Sequence, residues 1–230
     1  MTPRLVAVLM ISVLAVSGCG SSTGPSTTGG TGPCSYPKAS ATTGKKVNAP
    51  AATPPTDNPA EMVVATSAGD VPIAFAADTA PCTVNSFISL AKQGFFDGAR
   101  CHRVTTTYTF ILQCGSANGD GTGSPGYTFA DELVPDDPRL QPCQSVNAVR
   151  LCTYTAGTVA MANRGADTND SQFFLVYGNS MFPPDYTVVG RTDAAGLKVL
   201  KAIGARGVDP AAPDASDGPP RDPVTITSVR

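Results

Sequence analysis

Arg103 precedes Phe110, Ile111 and Gln113, and further along the chain Ala162 and Asn163 precede Gln172 and Phe174. A guanidinium that stays charged, amides that both donate and accept, and apolar rings can do chemistry by hydrogen bonding and burial. Covalent attack is harder to build. The chain has a single histidine, His102, which excludes any multi-histidine metal site. The cysteine spacings do not resemble a zinc ribbon, and no other metal or cofactor set is apparent. A Ser-His-Asp triad would have to use His102, which lies beside Cys101 in an apparent strand, and no G-x-S-x-G turn accompanies it. A lone histidine in such a place is more often structural. The net charge is -2 with 15% charged residues and no basic cluster, so nucleic acid is not an expected partner.

The elements that must position these groups come after a leader. Arg4, the apolar run Leu5–Val16 and the small residues Ser17 and Gly18 precede Cys19. The run is short for a span, which needs about 20 residues, and fits a signal peptide over 1–18. Its end resembles a bacterial lipobox, with Cys19 as the lipidated residue. Residues 19–60 are rich in Gly, Ser, Thr, Pro and Ala and poor in large apolar groups, the composition of a flexible tether. The folded domain is expected over 61–230.

Met62–Thr66 and Val71–Phe75 flank Ser67-Ala68-Gly69-Asp70 as a hairpin would. Val84, Phe87, Ile88 and Ala91 recur at helical spacing, with Asp78 or Thr79 as cap, Pro81 in the first turn and Gly94 as stop. A second helix is expected from about Asp193 to Ile203, stopped by Gly204. Pro223–Val229 alternates like a strand with one buried face. Many short strands with two helices suggest a closed, helix-capped β-barrel. Beyond Cys19 six of the seven cysteines remain, an even number that favours disulfides in an exported chain. Sequence leaves their pairing open, with free buried thiols as the alternative. Local spacing favours Cys101 with Cys114 across a hairpin and Cys143 with Cys152 around a short loop, leaving Cys34 for Cys82.

Several ordered segments carry a resemblance: Phe95-Phe96-Asp97-Gly98, Cys101-His102-Arg103-Val104, Phe110-Ile111-Leu112-Gln113-Cys114-Gly115, Gly121-Thr122-Gly123, Gly126-Tyr127, Phe129-Ala130-Asp131-Glu132, Met161-Ala162-Asn163 and Asn169-Asp170-Ser171-Gln172-Phe173-Phe174-Leu175. From about Met62 to the C-terminus the chain resembles the cyclophilin family of peptidyl-prolyl isomerases. The resemblance implies a closed eight-stranded antiparallel barrel capped by two α-helices, with the site on its outer surface. It implies Arg103, Phe110 and Gln113 as the catalytic set. It also implies Phe110, Ile111, Phe174 and Phe182 as walls of the proline pocket with Tyr186 beside them, and Gln113, Ala162, Asn163 and Gln172 as the residues that hold the flanking backbone.

Resonance gives the peptide C–N bond a rotational barrier of about 18 to 20 kcal/mol. Twisting the bond pyramidalises the proline nitrogen and exposes a lone pair, to which Arg103 could donate more strongly as the twist proceeds. No metal or cofactor is required. The resemblance has departures: Thr105–Thr109 is longer than the family pattern and lacks its Pro-Gly turn, and the chain has no tryptophan where many members carry one near Met181. The implied protein is a monomeric prolyl isomerase, anchored outside the cytoplasm by its N-terminal lipid and acting on proline-containing exported polypeptides. The alternative is a proline-binding, chaperone or adhesin module with little turnover. In a host with the lipidation pathway, radiolabelled palmitate should enter the wild type and not Cys19→Ala; equal labelling refutes the lipid assignment.

Overall fold

The computed structural model describes residues 33–42 and 45–230. The leader and Cys19 lie outside the described residues. The expected hairpin forms from β1 (Glu61–Thr66) and β2 (Gly69–Phe75), closing at the Thr66 and Gly69 pair. Helix α1 (Pro81–Lys92) buries Val84, Phe87, Ile88 and Ala91, the face that the periodicity marks. Then come β3 (Arg103–Thr105), β4 (Phe110–Cys114), β5 (Cys143–Val146), β6 (Val149–Tyr154), β7 (Thr158–Met161), β8 (Phe173–Gly178), β9 (Ser180–Phe182) and β10 (Val188–Thr192). Helix α2 (Ala194–Arg206), β11 (Asp217–Gly218) and β12 (Ile226–Val229) complete the order.

The strands do not close into an eight-stranded barrel. Nine of them form one open antiparallel sheet in the order β11-β3-β4-β8-β7-β10-β2-β1-β12, and β5-β6-β9 form a separate sheet of three. The outer edge of β3 is taken by β11, through the pairs Asp217 with Thr105 and Gly218 with Val104. It is therefore not free to pair with β12. The two ends approach only ahead of β3, where an isolated bridge joins Arg100 to Thr225. The expected alternation holds at Val224, just before β12, and at Ile226, then shifts by one residue because a bulge opposite Ala65 and Thr66 leaves Thr227 out of the ladder.

Strand β8 is buried on both faces, and two cores result. Phe173, Leu175 and Tyr177 point into the main core with Phe87, Phe95, Phe96 and Leu112. Phe174 and Val176 point the other way, into a second core with Ile111, Tyr154, Cys152 and Val188. The alternation of side chains along a strand makes this inevitable once both faces are apolar.

Both helix ends differ from expectation. The N-cap of α1 is Ala80, with no side-chain cap of its own. Glu132, far away in sequence, caps it instead: its two carboxylate oxygens accept from the backbone N–H groups of Cys82 at 3.0 Å and Thr83 at 2.8 Å. Asp193, where the second helix was expected to start, is the N-cap of α2 and accepts from the Gly196 N–H. That helix runs past Gly204 to Arg206 and ends at Gly207, whose φ is 79°. Gly204 serves close approach, since a Cβ there would collide with the Tyr177 ring.

The three disulfides are Cys34–Cys82, Cys101–Cys114 and Cys143–Cys152. The first ties residues 33–60 to the domain over the start of α1. This stretch has the composition of a loose tether, yet its described residues lie against the domain. Tyr36 packs edge-on against Tyr127 and Phe129 and donates its hydroxyl to Cys82 O. Asn85 donates to the Tyr36 hydroxyl and to Ala51 O. Burial pushes the Tyr36 phenol up to about 12.

Glu132→Ala should lower the free energy of unfolding by about 1 to 2 kcal/mol, as for loss of a charged helix cap. Asp78→Ala, at the exposed residue expected to cap, should change it by less than about 0.5 kcal/mol. Urea unfolding compares the two, and equal effects would refute the capping assignment.

Candidate active site

Arg103 begins β3 and pairs with Gln113 across the β3–β4 ladder; Gln113 pairs in turn with Phe174 on β8. One row of the sheet thus carries a guanidinium, an amide and a ring. The guanidinium is held at two points. Nε and Nη2 each donate to Asp217, both at 2.7 Å, and Nη1 donates to Gln113 Oε1 at 3.2 Å. The Gln113 amide passes the chain on, donating to Gln172 Oε1 at 3.1 Å, and Gln172 donates to Gly121 O at 2.9 Å. Side-chain amides are thereby oriented by a continuous network. Gln172 is itself set by Asp170, a buried carboxylate that accepts from the backbone N–H groups of Ser171 and Gln172 and pairs with Arg164 at 2.9 Å.

Asp217 is the residue that the sequence gives no means of finding. It lies 114 positions from Arg103, in a two-residue strand without apolar pattern. Hydrogen bonds from Arg103 to Asp217, opposed by partial burial and aided by the charges of Asp217 and the Tyr186 phenol, hold the guanidinium proton more tightly than usual. The pair is open to water, with side chains 42% and 39% exposed, so its worth lies in orientation more than in stability.

Beside this row stands an aromatic box on the second core. Phe174 meets Tyr186 edge-on at 5.4 Å and Phe182 at 5.7 Å, and Phe182 meets Tyr186 at 5.9 Å. Ile111 and Ala162 belong to the same cluster. Tyr154, also unforeseen, forms its back wall, 5.6 Å from Phe182 and 6.2 Å from both Phe174 and Tyr186. Its hydroxyl bridges Pro183 O, Tyr186 O and the Tyr186 N–H. The rings form one apolar cluster, with the Phe182 and Tyr186 pairs to Tyr154 and to each other edge-to-face and those of Phe174 to Tyr154 and Phe182 tilted.

Phe110 does not join it. Along β4, Ile111 and Gln113 face the site, and alternation turns Phe110 to the face of Leu112. A register shift beside Phe110 leaves Tyr177 unpaired in β8, and the Phe110 ring lies 5.9 Å from Tyr177 at the border of the main core. Asn163 is in place at the rim, donating to Asp185 O at 2.8 Å and accepting from the Gly165 N–H. Between Asn163, Ala162, Gln113 and Gln172 lies an open cavity of about 190 Å³, lined also by His102, Gly121 and Arg164. Nδ1 of His102 is buried without a hydrogen-bond partner among the described residues. Burial and then the Arg103 charge lower its pKa below 6.5, with Asp120 opposing.

An anchored cation and oriented amides thus lie in one network beside an aromatic cluster on the antiparallel sheet. The family described as "Cyclophilin type peptidyl-prolyl cis-trans isomerase/CLD" matches residues 61–230, and the chain belongs to it. It is 45% identical over 204 residues to "Probable peptidyl-prolyl cis-trans isomerase B" of Mycobacterium tuberculosis, covering 85% of this chain and 63% of the relative. The chain thus spans somewhat under two thirds of that relative's length. "Peptidyl-prolyl cis-trans isomerase A" of the same organism is 35% identical over 185 residues, 71% of this chain and 87% of the relative. A crystal structure of a Cryptosporidium parvum cyclophilin-type isomerase superimposes with a TM-score of 0.56 at 22% identity, covering 74% of this chain and 94% of the other. That likeness supports the fold.

Because the folded state lowers the His102 pKa, the neutral form is favoured on folding. The contribution is fully present above pH 6.5 and is lost as pH falls through that value and then through the lower folded one. The urea midpoint of the wild type should therefore fall between pH 7 and pH 5 more steeply than that of His102→Gln; parallel profiles would refute it.

Proposed function

We propose that the chain is a peptidyl-prolyl cis-trans isomerase. The observation that carries this is the Arg103 guanidinium, fixed by Asp217 and Gln113 beside the aromatic box. Of its five N–H groups, three are committed to these partners. One N–H on each terminal nitrogen remains available to a ligand. The pyrrolidine ring enters the box formed by Phe174, Phe182, Tyr186, Tyr154 and Ile111, while Gln113, Gln172 and Asn163 hold the peptide backbone alongside. With one side of the X-Pro bond held, the other rotates. The free N–H groups of Arg103 then donate to the proline nitrogen as it loses resonance, so the bond strengthens toward the transition state. The Cryptosporidium enzyme was also solved in the presence of the dipeptide Ala-Pro, a ligand of the kind such a box would take.

The clients proposed are proline-containing polypeptides folding after export, where slow X-Pro isomerisation limits the rate. The leader and the lipobox-like Cys19 support action outside the cytoplasm from a membrane anchor. The placement of Phe110 outside the box favours a second reading, a proline-binding module with slow turnover.

A protease-coupled tetrapeptide assay separates the two. The wild type should accelerate isomerisation, Arg103→Ala should lose about 10²-fold in kcat/KM, and Asp217→Asn about tenfold, mainly in kcat, with Asp217→Glu restoring part. Absence of acceleration by the wild type, or full activity in Arg103→Ala, refutes the mechanism. Peptide binding by NMR without cis-trans exchange would establish the binding module instead.

A further inference from the structure

The aromatic box and one disulfide share a single packed unit. In the small sheet, Cys143 pairs with Cys152 across β5 and β6, and Cys152 pairs with Phe182 across β6 and β9. The disulfide and a wall of the box therefore lie in one row over three strands. Two residues along β6, and so on the same face, Tyr154 packs against Phe174, Phe182 and Tyr186 and ties down the turn from Pro183 to Tyr186. Cys152 and Tyr154 are fully buried in the second core, and Cys143 packs at its margin.

Beyond its ladder with β6, β5 is held by Gln144 against Met181 Sδ and, just ahead of Cys143, by Thr153 donating to Pro142 O. The three strands have four, six and three residues and share no ladder with the nine-stranded sheet. Gln144, Ser145 and Val146 of β5 are exposed, as are Val149 and Arg150 of β6. A hairpin with so little buried surface is marginal by itself. The Cys143–Cys152 bond joins its strands where they meet the box.

We propose that the Cys143–Cys152 disulfide is a positioning element for the proline pocket, so that the pocket's grip on substrate is conditional on oxidation of this pair. The proposal rests on the isomerase function above and extends it. Without the bond, β5 frays from β6, and Phe182 and Tyr186 must be ordered by the ligand itself, which weakens binding. Arg103, Gln113 and Asp217 sit on β3, β4 and β11 of the other sheet, so rotation of a bound X-Pro bond is spared. Formation of the bond is ordinary exchange with a disulfide oxidant. The Cys143 thiolate attacks the oxidant's S–S bond and expels one thiolate. The Cys152 thiol, losing its proton, then attacks the mixed disulfide at Cys143 and expels the other. Two electrons pass to the oxidant, and two protons leave the cysteines. Arg150, with Nη2 3.8 Å from Cys143 Sγ, favours the first thiolate.

The test compares Cys143→Ala/Cys152→Val with Cys34→Ala/Cys82→Ala, which removes a bond remote from the box. The first should raise KM for a proline tetrapeptide about tenfold with kcat within about twofold; the second should leave KM unchanged. An unchanged KM in the first variant, a loss in kcat alone, or an equal rise in both variants overturns the proposal. Should the first variant fail to fold, stepwise reduction of the wild type with a dithiol, alkylation and mass mapping replace it. Loss of peptide affinity must then track opening of Cys143–Cys152 and of neither other bond. NMR of the Phe182 and Tyr186 rings gives a readout independent of turnover: opening the bond should broaden them while Phe87 and Phe96 stay sharp. If the wild type does not isomerise, the function fails, while the ring signals still decide whether the bond positions the pocket; unaltered signals overturn that too.

Discussion

Strand β8 has no polar face. Phe173, Phe174, Leu175, Val176 and Tyr177 are all buried, and a strand of this kind must be covered on both sides. Phe87 of α1, Phe95, Phe96 and the rest of the main core cover one side; Cys152, Tyr154 and Phe182 of the three-stranded sheet, with Ile111 and Val188, cover the other. The second cover is smaller: Phe174 is buried beneath it, while Phe182 and Tyr186 at its margin are only partly buried. The same apolar residues that stabilise the fold thus shape the seat for a ligand, and substitutions there will mix the two effects.

The polar half of the site obeys a different constraint. A half-exposed arginine samples many rotamers unless several donors are engaged at once. Here Asp217 fixes the plane of the guanidinium through two parallel bonds, the geometry that a carboxylate offers best. Gln113 and Gln172 extend the order from that plane to Gly121. A lysine at 103 would keep the charge and lose the plane. The long loop from Thr106 to Thr109 is absorbed locally: Thr105 accepts from Thr109 through its hydroxyl and donates to Thr109 O, while Tyr108 is left exposed at the tip with a φ of 63°.

Local and medium-range features were legible in the sequence. The β1–β2 hairpin, the buried face of α1, the start of α2 near Asp193 and the three disulfide pairs all depend on spacing within a segment or on elimination among few cysteines. Features that depend on tertiary partners were not. Gly204 looks like a helix stop because its close contact with Tyr177 is invisible in one dimension. Glu132 caps α1 from 50 residues away. The sheet stays open because a two-residue strand, β11, occupies an edge, and a strand that short has no period to detect. Arg103, Gln113, Gln172 and Phe174, which the motif singles out, do come together on adjacent strands. Tyr154 and Asp217 lie outside it, and Phe110 obeys the pleat of its strand more closely than the motif.

Residues 33–60 alter the reach of the molecule. With the proposed lipid on Cys19, a tether running free to residue 60 could extend about 140 Å, taking roughly 3.4 Å per residue. Because Cys34 is bonded to Cys82 on α1, the contour from Cys19 to the first covalent attachment is at most about 50 Å. The volume that the domain can explore around its anchor shrinks by about twentyfold, and its local concentration rises accordingly. The proposed lipid-anchored isomerase would then reach only polypeptides close to the membrane surface.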